Sequence, residues 1–353
     1  MRRFIHYLLI ILVLITGFRI GNQYLHSGDG QSYLYVIEQL IQGGRDRKQD
    51  AGEDRTEKQV TEATDKSEST DKSRGTAESQ STEVEQSTEQ PLEEKYQAPD
   101  TDIEEAAREL RSQMKLHASS ASVDFRTDSP DAKELMRQIF TAAIEHTGDP
   151  AEGDYLKWQF KGYQAKSSGI QIGDTYRYTF TYNIKYFTTE EEEKELTEKL
   201  KQVMEDLHLE GKSDYRKILI IHDYITRHVS YDKSGQNGDL KYTAYSALMK
   251  GKAVCQGYAT LFYRMSLMAG VDCRIISGKG DPGDGSRQAH AWNIVKIGRW
   301  FYNVDSTWDS ALGTDKYFLK SDAFFQKDHF REDPFDTEEF QDKFPVASES
   351  YSG

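Results

Sequence analysis

Between about residue 43 and residue 100 the chain is built from Glu, Lys, Asp, Gln, Ser and Thr with scattered apolar residues, and Tyr96 is its sole aromatic. Such a stretch cannot bury enough apolar surface to offset its chain entropy, which predicts a disordered linker and confines the main folded mass to the residues beyond Asp100. As a flexible coil it has an r.m.s. span of about 40–45 Å, enough to hold a domain off a bilayer and partway into a cell wall. The plain reading is a linker with no binding role; its Ser and Thr could alternatively carry glycans. The same stretch accounts for a hydrophobic content of only 37%, below the roughly 45–50% of an ordinary globular chain.

Charge and cysteine count remove several classes of function. With 59 acidic and 45 basic residues the formal charge is −14, and no concentrated basic stripe offsets it, so nucleic acid is not an expected partner. Two cysteines, Cys255 and Cys273, exclude a disulfide framework and a multi-cysteine zinc site.

Met1-Arg2-Arg3 precedes an uncharged apolar run from Phe4 to Phe18, with Arg19 beyond it. As a helix the run reaches about 22 Å, short of a ~30 Å hydrocarbon core, though Ile20 and snorkelling arginines extend it. Residues 1–20 are read as a transmembrane anchor or a signal segment. The leading arginines predict a single pass with the N-terminus inside and the remainder outside the cytoplasm, at the cell surface. No A-x-A-like cleavage site is present after the run, which favours an anchor; cleavage would make the protein secreted. In the juxtamembrane segment, 21–42, Tyr33, Val36, Ile37, Leu40 and Ile41 keep helical spacing.

Folded patterning begins after Asp100 and divides into an N-terminal α/β portion, 101–210, and a second domain, 211–345. Ser129-Pro130 signals a helix start, with Leu135, Met136, Ile139, Phe140 and Ala143 as its inner stripe. From Tyr176 to Ile184 aromatic and polar residues alternate strictly, the pattern of a half-exposed strand. Thr189 precedes four glutamates at a helix start, and Leu196, Leu200, Val203 and Leu207 form that helix's stripe. Another helix carries Ile218, Ile221, Ile225 and Val229. Tyr317, Leu319, Phe324, Phe325 and Phe330 imply packing of the terminal segment, with fraying expected beyond Phe344.

Three short motifs carry chemistry. In Gly251-Lys-Ala-Val-Cys-Gln-Gly-Tyr-Ala259, apolar residues recur at helical spacing after Cys255: Tyr258, Leu261, Phe262, Met265 and Met268. Cys255 is thereby placed in the first turn of a buried helix, where free amides and the macrodipole favour an anionic sulfur. Gly257 is costly inside a helix, by roughly 1 kcal/mol relative to alanine, and suggests a close approach beside the sulfur. The plain alternative is that Cys255 is a small buried hydrophobe.

The other two motifs are Ala289-His-Ala-Trp-Asn293 and Asn303-Val-Asp-Ser-Thr-Trp-Asp309, in strand-like runs joined at Gly298-Arg299. A two-residue turn there sets Ile297 against Trp300. Continuing that register puts Trp292 opposite Asp305 and His290 opposite Thr307, with His290, Trp292 and Asp305 on one face. His290 and Asp305 are then diagonal neighbours, about 7–8 Å apart at the backbone. A carboxylate on one imidazole nitrogen leaves the other free to take a thiol proton, which makes Cys255 a nucleophile, His290 a base and Asp305 its orienter.

These motifs, in this order and spacing, resemble the transglutaminase-like superfamily, and most closely its bacterial surface members. The resemblance is strong over 214–309 and weaker back to 102. It implies an α+β, papain-like core with a Cys-bearing helix packed on an antiparallel sheet, and a Cys255–His290–Asp305 triad. It also implies an oxyanion hole formed by the Cys255 amide and an upstream donor, for which Tyr242 is the candidate. Gln256, Trp292 and Trp308 are cleft candidates, although both tryptophans could simply pack. Cys273 reads as structural, with a redox link to Cys255 as the alternative. No cofactor or metal is expected, and nothing insists on the calcium sites of animal transglutaminases.

The expected reaction is acyl transfer or hydrolysis of amide or peptide bonds through a Cys thioester. The expected substrate is a surface protein or peptide, peptidoglycan peptide included. The rival reading is a non-catalytic wall- or protein-binding module on the same fold; inactive relatives generally lose a triad residue, whereas all three stand here.

Overall fold

The computed structural model describes residues 101–352. The expected membrane segment, juxtamembrane helix and linker lie outside the described residues. Among the described residues, no helix is long and apolar enough to cross a membrane.

Helix α1 (Ile103–Lys115) opens on Asp102, whose side chain accepts the Glu104 amide, and strand β1 (Ser120–Thr127) comes next. Helix α2 (Ala132–Ala143) starts slightly after the Ser129-Pro130 signal, because Asp131 is the residue that caps it, accepting the Glu134 amide at 3.0 Å. Its expected stripe is inside: Leu135, Ile139, Phe140 and Ala143 are buried and Met136 partly so. After a short helix α3 (Asp154–Lys157), strands β2 (Phe160–Ile172) and β3 (Thr175–Tyr186) form a long hairpin. The three strands make an antiparallel sheet in the order β1-β3-β2. Period-two alternation on β3 turns Phe180, Tyr182 and Ile184 onto one face, where α1 and α2 supply Leu110, Met114, Ile139 and Phe140.

The second layer begins with α4 (Glu190–Asp206), which Thr189 and Glu192 start with a reciprocal capping box. Its stripe of Leu196, Leu200 and Val203 packs into the core built around the Cys-bearing helix, not against the three-stranded sheet. The two hydrophobic cores interleave in sequence before α4: Tyr155 and Trp158 already belong to the second, Leu156 and Phe160 to the first. Helix α5 (Asp214–His228), strand β4 (Ser230–Tyr231), helix α6 (Ala244–Lys250) and strand β5 (Lys252–Ala253) lead into α7 (Cys255–Met268). Every residue of α7 from Gln256 to Leu267 is buried, so the helix is enclosed all round and not merely along the one expected stripe.

Strands β6 (Cys273–Gly280), β7 (Gln288–Ile297) and β8 (Trp300–Val304) come after α7, then helix α8 (Ser306–Leu312), helix α9 (Asp322–Phe325), strand β9 (His329–Arg331) and helix α10 (Glu338–Lys343). These strands form an antiparallel sheet in the order β8-β7-β6-β9. The architecture is α+β. Ala291 and Val295 of β7 join the core of α7, and Asn293 ties the two together by donating to the Ala259 carbonyl at 3.1 Å. Trp292 and Ile294 face the other way, into an aromatic layer with Phe301, Tyr317, Phe325 and Phe344.

A buried ion pair joins α3 to this sheet. Arg274 Nε and Nη2 reach Asp154 at 2.7 and 3.0 Å, and the Ile275 amide adds a third bond at 2.9 Å. Fraying beyond Phe344 does not occur. Ala347 donates to Phe301 O at 2.9 Å, Tyr351 N donates to Leu319 O at 3.0 Å, and the Tyr351 ring stacks on Tyr215. Backbone pairing to an edge strand holds a tail whose composition alone gives little sign of it.

Candidate active site

Strand β5 pairs in parallel with β4, with Tyr231 against Ala253, and Val254 donates to Lys241 O at 2.9 Å. Those bonds fix the chain immediately before α7, so Cys255 emerges as its first residue, partly exposed at the end of an otherwise enclosed helix. Gly257 is explained by the protein's own backbone. A Cβ there would lie 2.6 Å from Ala253 Cβ, 2.9 Å from Thr243 O and 3.0 Å from Lys241 O. The close approach expected beside the sulfur is therefore internal packing.

On the sheet, the hairpin register is the expected one, with Ile297 against Trp300 and Asn293 against Val304. The ladder ends there. Asp305 leaves the strand to become the N-cap of α8, and Thr307 lies within that helix, so the extrapolated pairings of Trp292 with Asp305 and of His290 with Thr307 are not made. The helix dipole and its free amides draw the carboxylate into a capping position. Its Oδ1 accepts the amides of Thr307 and Trp308 at 2.9 and 3.1 Å. Oδ2 is left for the imidazole, 2.8 Å from His290 Nε2.

With Nε2 engaged by Asp305, His290 retains Nδ1, and Cys255 lies close enough to favour the charged form of the ring. Cysteine, imidazole and carboxylate thus act on one another electrostatically. Burial opposes the imidazolium, but the Asp305 charge and hydrogen bond, and after them the contacts with Cys255, outweigh it and push His290 up to about 10. Burial likewise raises a carboxyl, yet His290 and His329 together hold Asp305 well below the usual carboxylate range.

His329 has no place in the motif-based reading. From β9 its Nε2 lies 3.1 Å from the same Asp305 oxygen, and its Nδ1 lies 2.7 Å from Asp328 Oδ1. Asp328 in turn accepts the Tyr317 hydroxyl at 2.7 Å. An aspartate beside a histidine among aromatics, Phe324 to Phe330, was the available signal; it carried no spacing relation to Cys255.

Tyr242 packs with its ring 5.6 Å from Phe187, and burial first and the charge of Cys255 second raise its phenol above its ordinary value. A second phenol, Tyr231, is raised for the same two reasons in the same order. Tyr231 also borders a cavity of about 620 Å³ whose walls include Arg227, His228, Lys233 and Ser310. Gln256 is corrected from cleft to interior: its amide donates to Trp158 O at 3.0 Å in a buried position. Trp292 is buried too, with Nε1 bonded to Asn303 Oδ1 at 3.1 Å, and packs beneath the imidazole. Trp308 is the partly exposed tryptophan, 5.4 Å from the His290 ring. Both cysteines are free. Cys273 is buried in β6, where Asn293 approaches its sulfur at 3.7 Å and burial pushes the thiol well above its ordinary value.

Residues 201–306 match the family model described as the transglutaminase-like superfamily. The chain carries a transglutaminase-like domain. That domain is similar to kyphoscoliosis peptidase of Mus musculus, 36% identical over an alignment of 153 residues that covers 37% of this chain and 23% of that protein. The Homo sapiens kyphoscoliosis peptidase is 35% identical over 153 residues with the same coverage. The chain thus spans about a quarter of the length of these relatives. Among solved structures, one described as a TGase is similar to the domain at 19% identity and a TM-score of 0.30, covering 41% of this chain and 45% of that one.

Proposed function

We propose that this is an extracytoplasmic cysteine enzyme that cleaves or transfers acyl groups at amide or peptide bonds of surface protein or cell-wall peptide. One observation carries the reading: a partly exposed cysteine at a helix N-terminus lies near enough to favour the charged form of an imidazole that a buried carboxylate orients. In the proposed reaction the Cys255 sulfur attacks the carbonyl carbon and the carbonyl π pair moves onto oxygen. The Cys255 amide is the proposed donor to that oxyanion, with Tyr242 beside it. His290 passes its proton to the leaving nitrogen as the C–N bond breaks, leaving a thioester. Water or an incoming amine, deprotonated by His290, then displaces the sulfur.

The N-terminal apolar run supports a membrane-tethered location, with the polar linker as spacer. Whole cells treated with protease should lose the domain while the cytoplasmic proteins survive; protection of the domain would exclude an exterior location.

Catalysis is tested by incubating a soluble 101–353 fragment with a thiol-directed acylating probe and with amine-labelled acyl donors. Labelling that disappears in Cys255→Ala and weakens in His290→Ala supports the enzyme. Wall binding that is undiminished in Cys255→Ala, with no labelling of the parent, would favour a binding module instead.

A further inference from the structure

Asp309 closes the third sequence motif, and its side chain serves a second, separate histidine. His222, on α5, is fully buried, with Nε2 3.1 Å from Asp309 Oδ2. Asp309 Oδ1 is held by the Tyr317 amide at 2.9 Å. A carboxylate only accepts, so Nε2 carries the hydrogen and the lone pair of the neutral ring sits on Nδ1. That nitrogen is buried and has no hydrogen-bond partner among the described residues. A polar atom deprived of both water and partner is unfavourable by about 1–3 kcal/mol and calls for a reason.

Two carboxylates stand beside the ring. Asp223 is the next residue of α5, and Asp315 lies in the turn after α8; with His222 they bring one ligand atom each within 4.8 Å of one another. We propose that His222 Nδ1, Asp223 and Asp315 bind a zinc ion. One imidazole nitrogen with two carboxylate oxygens and a water suits zinc, whereas calcium and magnesium prefer oxygen alone. Asp309 on the opposite ring nitrogen is the outer carboxylate that orients a metal-binding histidine and raises its basicity. Bonds of about 2.0–2.2 Å require the ligands to close in somewhat. Exposed Asp315 can do so by rotation, and Asp223 by relaxing its 3.0 Å pairing with Arg227.

The other His-Asp-His trio, His290, Asp305 and His329, is equally compact. There both Nε2 atoms point at the same Asp305 oxygen, so neither has a lone pair to offer unless the hydrogen bonds of the candidate active site break. The zinc site instead ties α5 to the end of α8, the helix that Asp305 caps.

Thermal melts of the purified chain with Zn²⁺, in a Cys255→Ala background that removes the exposed thiol as a ligand, decide the matter. Zinc at a hundredfold excess over its Kd is expected to raise Tm by about 5–10 °C. Asp315→Asn and Asp223→Asn, both at positions open to solvent, should each abolish most of the shift while melting normally without metal. No shift in the background chain, or a shift that survives both substitutions, overturns the site.

Discussion

Asp305 holds two structures at once: Oδ2 lies 2.8 Å from His290 Nε2, while Oδ1 accepts the first free amides of α8. The carboxylate cannot turn toward or away from the imidazole without uncapping a helix. Orientation of the base is thereby tied to local folding.

That coupling has a pH signature. The folded value for His290 is raised from 6.5 to about 10, so its contribution to stability is fully present below pH 6.5 and lost as pH rises through about 10. Asp305 is shifted the other way from 3.8; its contribution is present above that value and disappears only as pH falls well below it. Alkylation of Cys255 by iodoacetamide, monitored across pH in the parent and in Asp305→Asn, reads the first shift. The parent's imidazolium-dependent transition is expected near pH 10, and in the variant it should move toward neutrality. An unmoved transition would show that Asp305 does not support the cation.

The two cysteines should differ sharply in reactivity. Cys255 is partly exposed and Cys273 is buried with its thiol pushed upward. Mass spectrometry after brief iodoacetamide treatment of the native chain should find one adduct, on Cys255, with Cys273 modified only after denaturation. Equal labelling of both in the native state would contradict the burial of β6.

His329 is a positioning residue that acts on Asp305. His329→Gln keeps a donor of similar reach, whereas His329→Ala leaves the Asp305 oxygen with one partner fewer. Taking one charge-assisted bond at about 1.5 kcal/mol, kcat in the alanine variant should fall about tenfold with KM little changed, and the glutamine variant should recover part of the loss. A rise in KM at constant kcat would point to a substrate contact instead.

Gly257→Ala separates two physical effects of opposite sign. Helix propensity alone favours alanine by about 1 kcal/mol. The steric conflict with Ala253 Cβ and the Thr243 and Lys241 carbonyls favours glycine by about 1–3 kcal/mol. Packing should win, so chemical denaturation should find the variant less stable by up to about 2 kcal/mol, with Cys255 activity reduced as its turn shifts.

The motifs by themselves nominated Cys255, His290 and Asp305 as candidates, because a helix signal beginning at Cys255 and a two-residue turn at Gly298-Arg299 are local patterns with known periods. The alternation of β3 and the capping of α4 by Thr189 were legible for the same reason. Tertiary structure alone decided what depends on chain segments far apart in sequence. It set Asp305 as a helix cap beyond the end of the ladder, brought His329 onto the same oxygen from β9, and directed Gln256 inward. It also enclosed α7 on all sides, assigned α4 to the second core and pinned the tail to an edge strand. Periodicity reports which face of an element is apolar, but it carries no information about which other element arrives to cover that face.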